Sequence, residues 1–234
     1  MSAGNLYATD EKLVAGGQSD GHSIASIQSV ADTSITSESV SGFGGAHETV
    51  ERTTRELVVL IKSAQQYIKE DEPRFYRELG ELLERYVDFK SFSRAVMGKY
   101  ASARRVESLD EEQAELLNMQ IERFTHIFTG ALINTYGKGL LVFEGERIEV
   151  VPPSESSKPS RPGRATVKQL VFGDRDTPYE IHYSLRQNKA GEWKIRNMVL
   201  ETTNLGKVYR NQFDNAYRVY EGDIDRVIDT WVSG

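Results

Sequence analysis

Cysteine is absent from the 234-residue chain, which excludes disulfides and thiolate metal sites and leaves the redox compartment open. No apolar run approaches the length of a membrane-spanning helix. No basic stripe with interleaved aromatics is present, which argues against nucleic acid as a partner. The amino terminus carries no charged segment followed by an apolar one, so no secretory signal is read in this chain. A Walker motif, an HExxH pair and a G-x-S-x-G elbow are also missing. Gly137-Lys138-Gly139 and Gly16-Gly17 are too short to cradle a phosphate and read as turns.

Residues 1–47 are rich in Ser and Gly and poor in large apolar residues, so they read as a mobile tail. Five acids against one lysine place most of the net charge of -6 there. The remainder, 48–234, is close to charge balance and reads as a single domain, and the chain's 38% hydrophobic content can supply its core.

From Glu48 the pattern is helical: Val50, Leu57, Leu60-Ile61, Ala64 and Ile68 recur at three- and four-residue intervals. Asp71-Glu72-Pro73 interrupts it, with Pro73 placed as a first-turn residue of a new helix through Phe75, Leu79, Leu82-Leu83 and Tyr86. Asp88 is the expected cap of a short helix carrying Phe89, Phe92, Val96 and Tyr100. Ser108 and Glu111 have capping-box spacing and open a long helix through Leu117, Ile121, Phe124, Phe128, Ala131-Leu132 and Thr135, which ends between Gly137 and Gly145.

The period then changes. Ile148 and Val150 mark a first strand, 152–163 a Pro- and Ser-rich loop, Ala165 to Phe172 a second strand, and Gly173 to Asp176 a turn. Tyr179, Ile181, Tyr183 and Leu185 alternate with Glu180, His182 and Ser184 as a half-buried third strand; Trp193 to Glu201 is the fourth. Thr202, Thr203 and Asn204 interrupt the apolar run, and Leu205, Val208, Tyr209 and Phe213 resume it at helical spacing, with Asn204 as the cap. Closing helices run from Asn204 to Tyr220 and from Asp223 to Val232. Helices, then an antiparallel meander, then helices is the order of an α+β domain: a four-stranded antiparallel twisted sheet with one face covered.

The strand-to-helix junction forms a wedge whose apolar walls either close into core or stay open. No catalytic residue and no metal site is read. His22 and His47 fall in the tail, His126 lies on the long helix, and His182 on the polar side of a strand. Asp174 and Asp176 read as turn residues.

Trp193, Tyr209-Arg210, Gln212-Phe213, Val87-Asp88-Phe89, Ser93-Arg94, Val96 and Gly98-Lys99-Tyr100 together resemble the MlaC family of periplasmic phospholipid-binding, or toluene-tolerance, proteins. The resemblance covers roughly residues 50–230 and rests on order and spacing. Where that family usually has Glu-Gly-apolar-Ser-Leu, this chain has Glu201-Thr202-Thr203-Asn204-Leu205. Asn for Ser keeps a capping side chain, and Thr stands at the glycine.

On spacing alone the aromatic and branched stripes read as core. The resemblance implies instead an apolar pocket between sheet and helices that holds acyl chains. Its candidate walls are Val96, Tyr100, Phe124, Phe128, Leu132 and Tyr136 from the helices, and Ile181, Tyr183, Trp193, Ile195, Leu205 and Tyr209 from the strands and junction. It further implies a periplasmic, non-enzymatic carrier with no cofactor and a bound phospholipid as cargo. The implied partners are an inner-membrane ABC transporter with an MCE-domain subunit and an outer-membrane lipoprotein complex, and the implied role is upkeep of outer-membrane lipid asymmetry. Two alternatives stay open: a small-molecule enzyme on a similar helix-plus-sheet cone, and an adaptor domain with a filled core.

Overall fold

A computed structural model describes residues 44–143, 147–153, 161–173 and 175–231. Residues 1–43 of the expected tail with His22, residues 154–160 of the expected loop, Asp174, and residues 144–146 and 232–234 lie outside these described residues.

Helix α1 (Gly44–Ala64) starts four residues before the expected Glu48, so His47 belongs to a helix, with Nε2 3.3 Å from the Val150 carbonyl. Ala46 and Val50 are each 1% exposed and pack with Trp193 on the sheet. Gly45 permits that approach: a Cβ there would lie 2.8 Å from Cδ1 and Nε1 of the Trp193 ring. Small residues chosen for contact carry no apolar period, which is why Gly44-Gly45-Ala46 does not read as helix.

Helix α2 (Glu72–Tyr86) is capped by Asp71, which accepts from the Arg74 amide, and Pro73 sits in its first turn; Phe75, Leu79 and Leu82 form its buried face. Asp88 caps α3 (Phe89–Met97) by accepting from the Ser91 amide at 2.9 Å. Burial raises the Asp88 pKa, but bonds from Ser91 and the Arg196 guanidinium, 2.7 Å away, outweigh it and hold the carboxyl below its ordinary value. A 3-10 turn (Gly98–Ala101) and a short α4 (Ala103–Glu107) follow.

The long α5 (Glu111–Leu141) is capped by Asp110, whose carboxylate accepts from the Gln113 amide, and not by Ser108. Ser108 instead closes α4, its hydroxyl donating to the Arg105 carbonyl at 2.7 Å. The buried face of α5 also changes along its length. Leu117, Ile121, Phe124, Phe128 and Leu132 pack with α3, α6 and α7; Ile133 packs with α1 and α2, while Thr135 is exposed. Gly137 does not end the helix; it is buried where a Cβ would meet the Tyr76 ring at 2.7 Å.

Strands β1 (Ile148–Val150), β2 (Arg164–Val171), β3 (Tyr179–Gln187), β4 (Trp193–Leu200) and β5 (Thr203–Asn204) form an antiparallel meander in sequence order. β5 corrects the expected strand number. The chain reverses at Glu201, whose φ is 55°, so Thr203 and Asn204 pair with Leu200 and Val199 before the helix starts. The left-handed conformation falls on Glu201, and Thr202 escapes the strain that replacing a glycine would bring. The Glu201 carboxylate accepts from the Glu180 amide and from Arg175, fastening the reversal to β3. Asn204 caps α6 (Leu205–Val219) as expected, accepting from the Lys207 amide, and α7 (Ile224–Thr230) closes the described chain.

A bulge between Ser184 and Leu185 leaves Arg196 as the extra residue of β4, so Trp193, Ile195, Met198 and Leu200 all share one face. The opposite partners are Gln187, Leu185, Tyr183 and Ile181. This is the face α1 covers.

In an open helix interior Gly→Ala gains about 1 kcal/mol. For Gly45→Ala the Trp193 contact reverses that sign, and the melting temperature is expected to fall by roughly 2–4 °C or more, for an overpacking cost of about 1 kcal/mol or more. Calorimetry of the two proteins checks it, and an unchanged or raised midpoint sinks the packing argument.

Candidate functional site

A domain of this size usually has one contiguous core. Here the buried apolar residues fall into three. The largest joins α3, α5, α6 and α7 around Phe124, Phe128, Phe213 and Tyr209. A second lies between the first half of α1 and the sheet, built from Ala46, Val50, Ala165, Val167, Leu185, Trp193 and Ile195. The third joins α1, α2 and α5 around Ala64, Phe75, Leu79 and Ile133.

The seam between these clusters is lined by apolar side chains that remain only half-buried. From the sheet come Val171, Tyr179, Ile181, Tyr183, Met198 and Leu200. Helix α1 supplies the roof as far as Thr54; beyond it, Leu57 and Leu60 pack with the α2–α5 cluster. The close backbone neighbours of α5 are the helices α2, α3 and α7, with lighter approaches to α1 and α4. Between the helices and the sheet the half-buried side chains mark an apolar seam, with β2–β4 as its floor.

One buried hydrogen-bonded chain crosses its inner end. The Tyr183 hydroxyl donates to Gln169 Oε1 at 2.8 Å, Gln169 Nε2 donates to Thr54 Oγ1 at 2.6 Å, and Thr54 donates to the Val50 carbonyl at 2.8 Å. Burial pushes the Tyr183 phenol well above its ordinary pKa, so it stays protonated. The residue keeps partial exposure and lines the seam.

The twelve candidate wall residues separate on this frame. Val96, Phe124 and Phe128 are 0% exposed. The two phenylalanines stack at 5.4 Å and 12° and receive the edges of Phe213, Tyr209 and Trp231. Those three candidates are solid core. Tyr100 stacks on Tyr217 at 3.8 Å and donates to Asp214, tying the 3-10 turn to α6. Trp193 and Ile195 are sealed beneath α1. Leu132, Leu205 and Tyr209 lie in the large cluster with Tyr136 packed against it, and the Tyr209 and Tyr136 hydroxyls meet at 3.3 Å. Ile181 belongs to none of the three clusters and shares the Tyr183 face. Met198 and Leu200, half-buried on the same face of β4, were missed. Seeking the most buried positions selects core over wall, because a wall is half-buried by construction.

His182 lies on the opposite sheet face, Nε2 3.3 Å from Glu180, and His126 is exposed on α5. A separate open groove of about 570 Å³ runs between α2, α3 and α5, lined by Asp88, Lys90, Glu122, His126 and Lys194 among others. Its lining mixes charged side chains with Val87 and Phe89, and it shares no residue with the half-buried seam. Among the described residues no group of three His, Asp or Glu side chains could hold a metal, and no helix is long and apolar enough to cross a membrane.

An antiparallel meander roofed by helices, with half-buried apolar side chains along the seam between the layers, defines an α+β domain. The sequence pattern of the MlaC protein matches residues 51–233, and the chain belongs to that family. It is 32% identical over 186 residues to the toluene tolerance protein ttg2D of Pseudomonas putida, covering 79% of each chain. Its fold is similar to that of a phospholipid-binding protein from Ralstonia solanacearum solved in complex with a phospholipid. That likeness has a TM-score of 0.58 and 17% identity, and covers 79% of this chain and 93% of that one.

The division between core and wall has a measurable consequence. Phe128→Ala is expected to cost about 3–5 kcal/mol, the range for a sealed aromatic, whereas the half-buried Ile181→Ala should cost about 1 kcal/mol, below the sealed-core range. Urea unfolding of the lipid-free protein compares them, and equal costs would place Ile181 in a filled core.

Proposed function

We propose that this protein is a non-enzymatic phospholipid carrier that shelters acyl chains in the gap between β2–β4 and the helices and gives the lipid up intact. The observation that carries this is the division of its apolar interior into three cores with half-buried side chains facing the seam. Membership of the MlaC family supports it, as do the phospholipid held by the Ralstonia protein and the name of the Pseudomonas relative.

Two acyl chains hold about 30 methylenes, and at about 0.8 kcal/mol each their gross desolvation is worth about 24 kcal/mol. Leaving one chain in water forfeits roughly half of that, so both tails must enter. The head group can stay in water at the wide end of the gap, beside Val171 and Tyr179. Arg147, stacked 3.5 Å over the Phe172 ring, and Arg175, 3.5 Å over Tyr179, stand at that end. Ile181, Tyr183 and Tyr136 are the wall residues of this reading among the original candidates, with Leu132, Leu205 and Tyr209 at its border.

The family also supplies the wider setting we propose: transit through the periplasm between an outer-membrane lipoprotein complex and an inner-membrane ABC transporter with an MCE-domain subunit, in the service of outer-membrane lipid asymmetry. An enzymatic reading would require a group facing the gap that exchanges protons near neutrality. His182 points the other way, and the Tyr183 phenol is held protonated by burial.

Organic extraction of the purified protein followed by mass spectrometry should release a diacyl phospholipid. Ile181→Asp puts an ionisable group on the gap floor, where water can reach it in the empty protein. The variant is expected to fold and to lose its lipid. Recovery of phospholipid at the wild-type ratio from the folded variant, or of no lipid from the wild type, overturns the proposal.

A further inference from the structure

The positions of β2 that face α1 are Ala165, Val167, Gln169 and Val171, and one of the four is polar. Gln169 is 4% exposed, in a layer where a leucine would pack without needing partners. Its amide has partners on both sides: it accepts from Tyr183 on β3 and donates to Thr54 on α1. The three side chains form a bar from helix to sheet across the inner end of the gap.

The bar coincides with a change in burial along the floor. On β3, Tyr179, Ile181 and Tyr183 are half-buried, and Leu185, the next residue on that face, is 3% exposed. On β2, Val171 is half-buried, while Gln169, Val167 and Ala165 are buried. Beyond the bar lies the sealed cluster under the first half of α1, with Trp193 and Ile195. From Tyr179 to Tyr183 the strand spans about 13 Å. An acyl chain pushed past Tyr183 would have to part the bar, leaving the Tyr183 phenol and the Gln169 amide without these partners in apolar surroundings, while Thr54 keeps its bond to the Val50 carbonyl. Up to Tyr183 the floor residues on this face, Val171, Tyr179 and Ile181, are half-buried.

We propose that Tyr183, pinned by Gln169 and Thr54, is the end stop of the gap and sets the length of acyl chain the protein accepts. This rests on the carrier reading and adds selectivity to it. Tyr183 contributes as a wall in contact with the terminal methyl; Gln169 and Thr54 are positioning residues.

The test uses the full chain stripped of lipid and incubated with vesicles holding equimolar amounts of two phosphatidylglycerols that differ only in acyl length. Bound lipid is recovered and the long-to-short ratio measured. Tyr183→Leu shortens the stop, and each further methylene it admits should raise that ratio over wild type by up to about fourfold. Gln169→Leu combined with Thr54→Val keeps the ring and removes its tether with apolar residues of similar volume, so the ratio should rise in the same direction by less. An unchanged ratio in folded Tyr183→Leu overturns the end stop, as does equal loss of both lipids. Should Tyr183→Leu not fold, the ratio of the tether variant decides in the same way. A wild-type protein that takes up neither lipid overturns the carrier reading itself.

Discussion

The stacked pair Phe124 and Phe128 is the contact on which the rest of the molecule depends. Protein interiors close around voids, and an unfilled apolar space loses dispersion contacts along its whole lining. For the proposed acyl-chain gap to persist, its walls must be held by packing that lies outside it. The two phenylalanines supply that: Phe92, Phe213, Tyr209 and Trp231 meet them edge-on, so α3, α6 and α7 are clamped to α5 from several directions at once. With α5 fixed there, its position is set by helix–helix packing, with Met198 of β4 resting against the same cluster.

The sheet is fastened to the helices through β4. Val87 pairs with Ile195, the Asp88 amide donates to the Ile195 carbonyl, and Arg196 turns out at the bulge to meet the Asp88 carboxylate. One residue thus caps α3 and binds it to β4. At the other end of β4, the Asn197 amide group donates to Asn204, and Asn197 Oδ1 accepts from the Gly206 amide, so strand and helix start are joined across the reversal. Floor and helices are thus joined along β4, away from the half-buried floor residues of β3.

Much of this was legible in the chain because its signals were local. The strict alternation from Tyr179 to Leu185, the caps Asp88 and Asn204, and the proline of α2 each announce their element within a few residues. What was not legible depends on residues far apart. Gly45 and Ala46 are helical because Trp193 lies across from them, and small residues leave no period. Adjacent Leu132 and Ile133 carry no mark of belonging to different cores. Ser108 has the spacing of a cap, but α4 is too short to be seen and claims it. Gln169 sits at an inward position of a strand, where a polar side chain makes sense only once Thr54 and Tyr183 are known to flank it. The wall was hardest, since half-burial has no sequence signature distinct from that of core.

Helix α5 passes from one core into another without a proline or a break in its 31 residues, a rod of about 46 Å. Mechanically it is a lever with its fulcrum in the aromatic clamp. A tilt of a few degrees about Phe124 and Phe128 leaves the clamp almost undisturbed, yet displaces Tyr136 and Leu140, about two to three turns beyond Phe128, through a larger arc. That arm is braced in turn, since Ile133, Leu140 and Leu141 pack with α1 and α2, and the brace is closest at Gly137, where α5 rests against Tyr76 with no side chain between them.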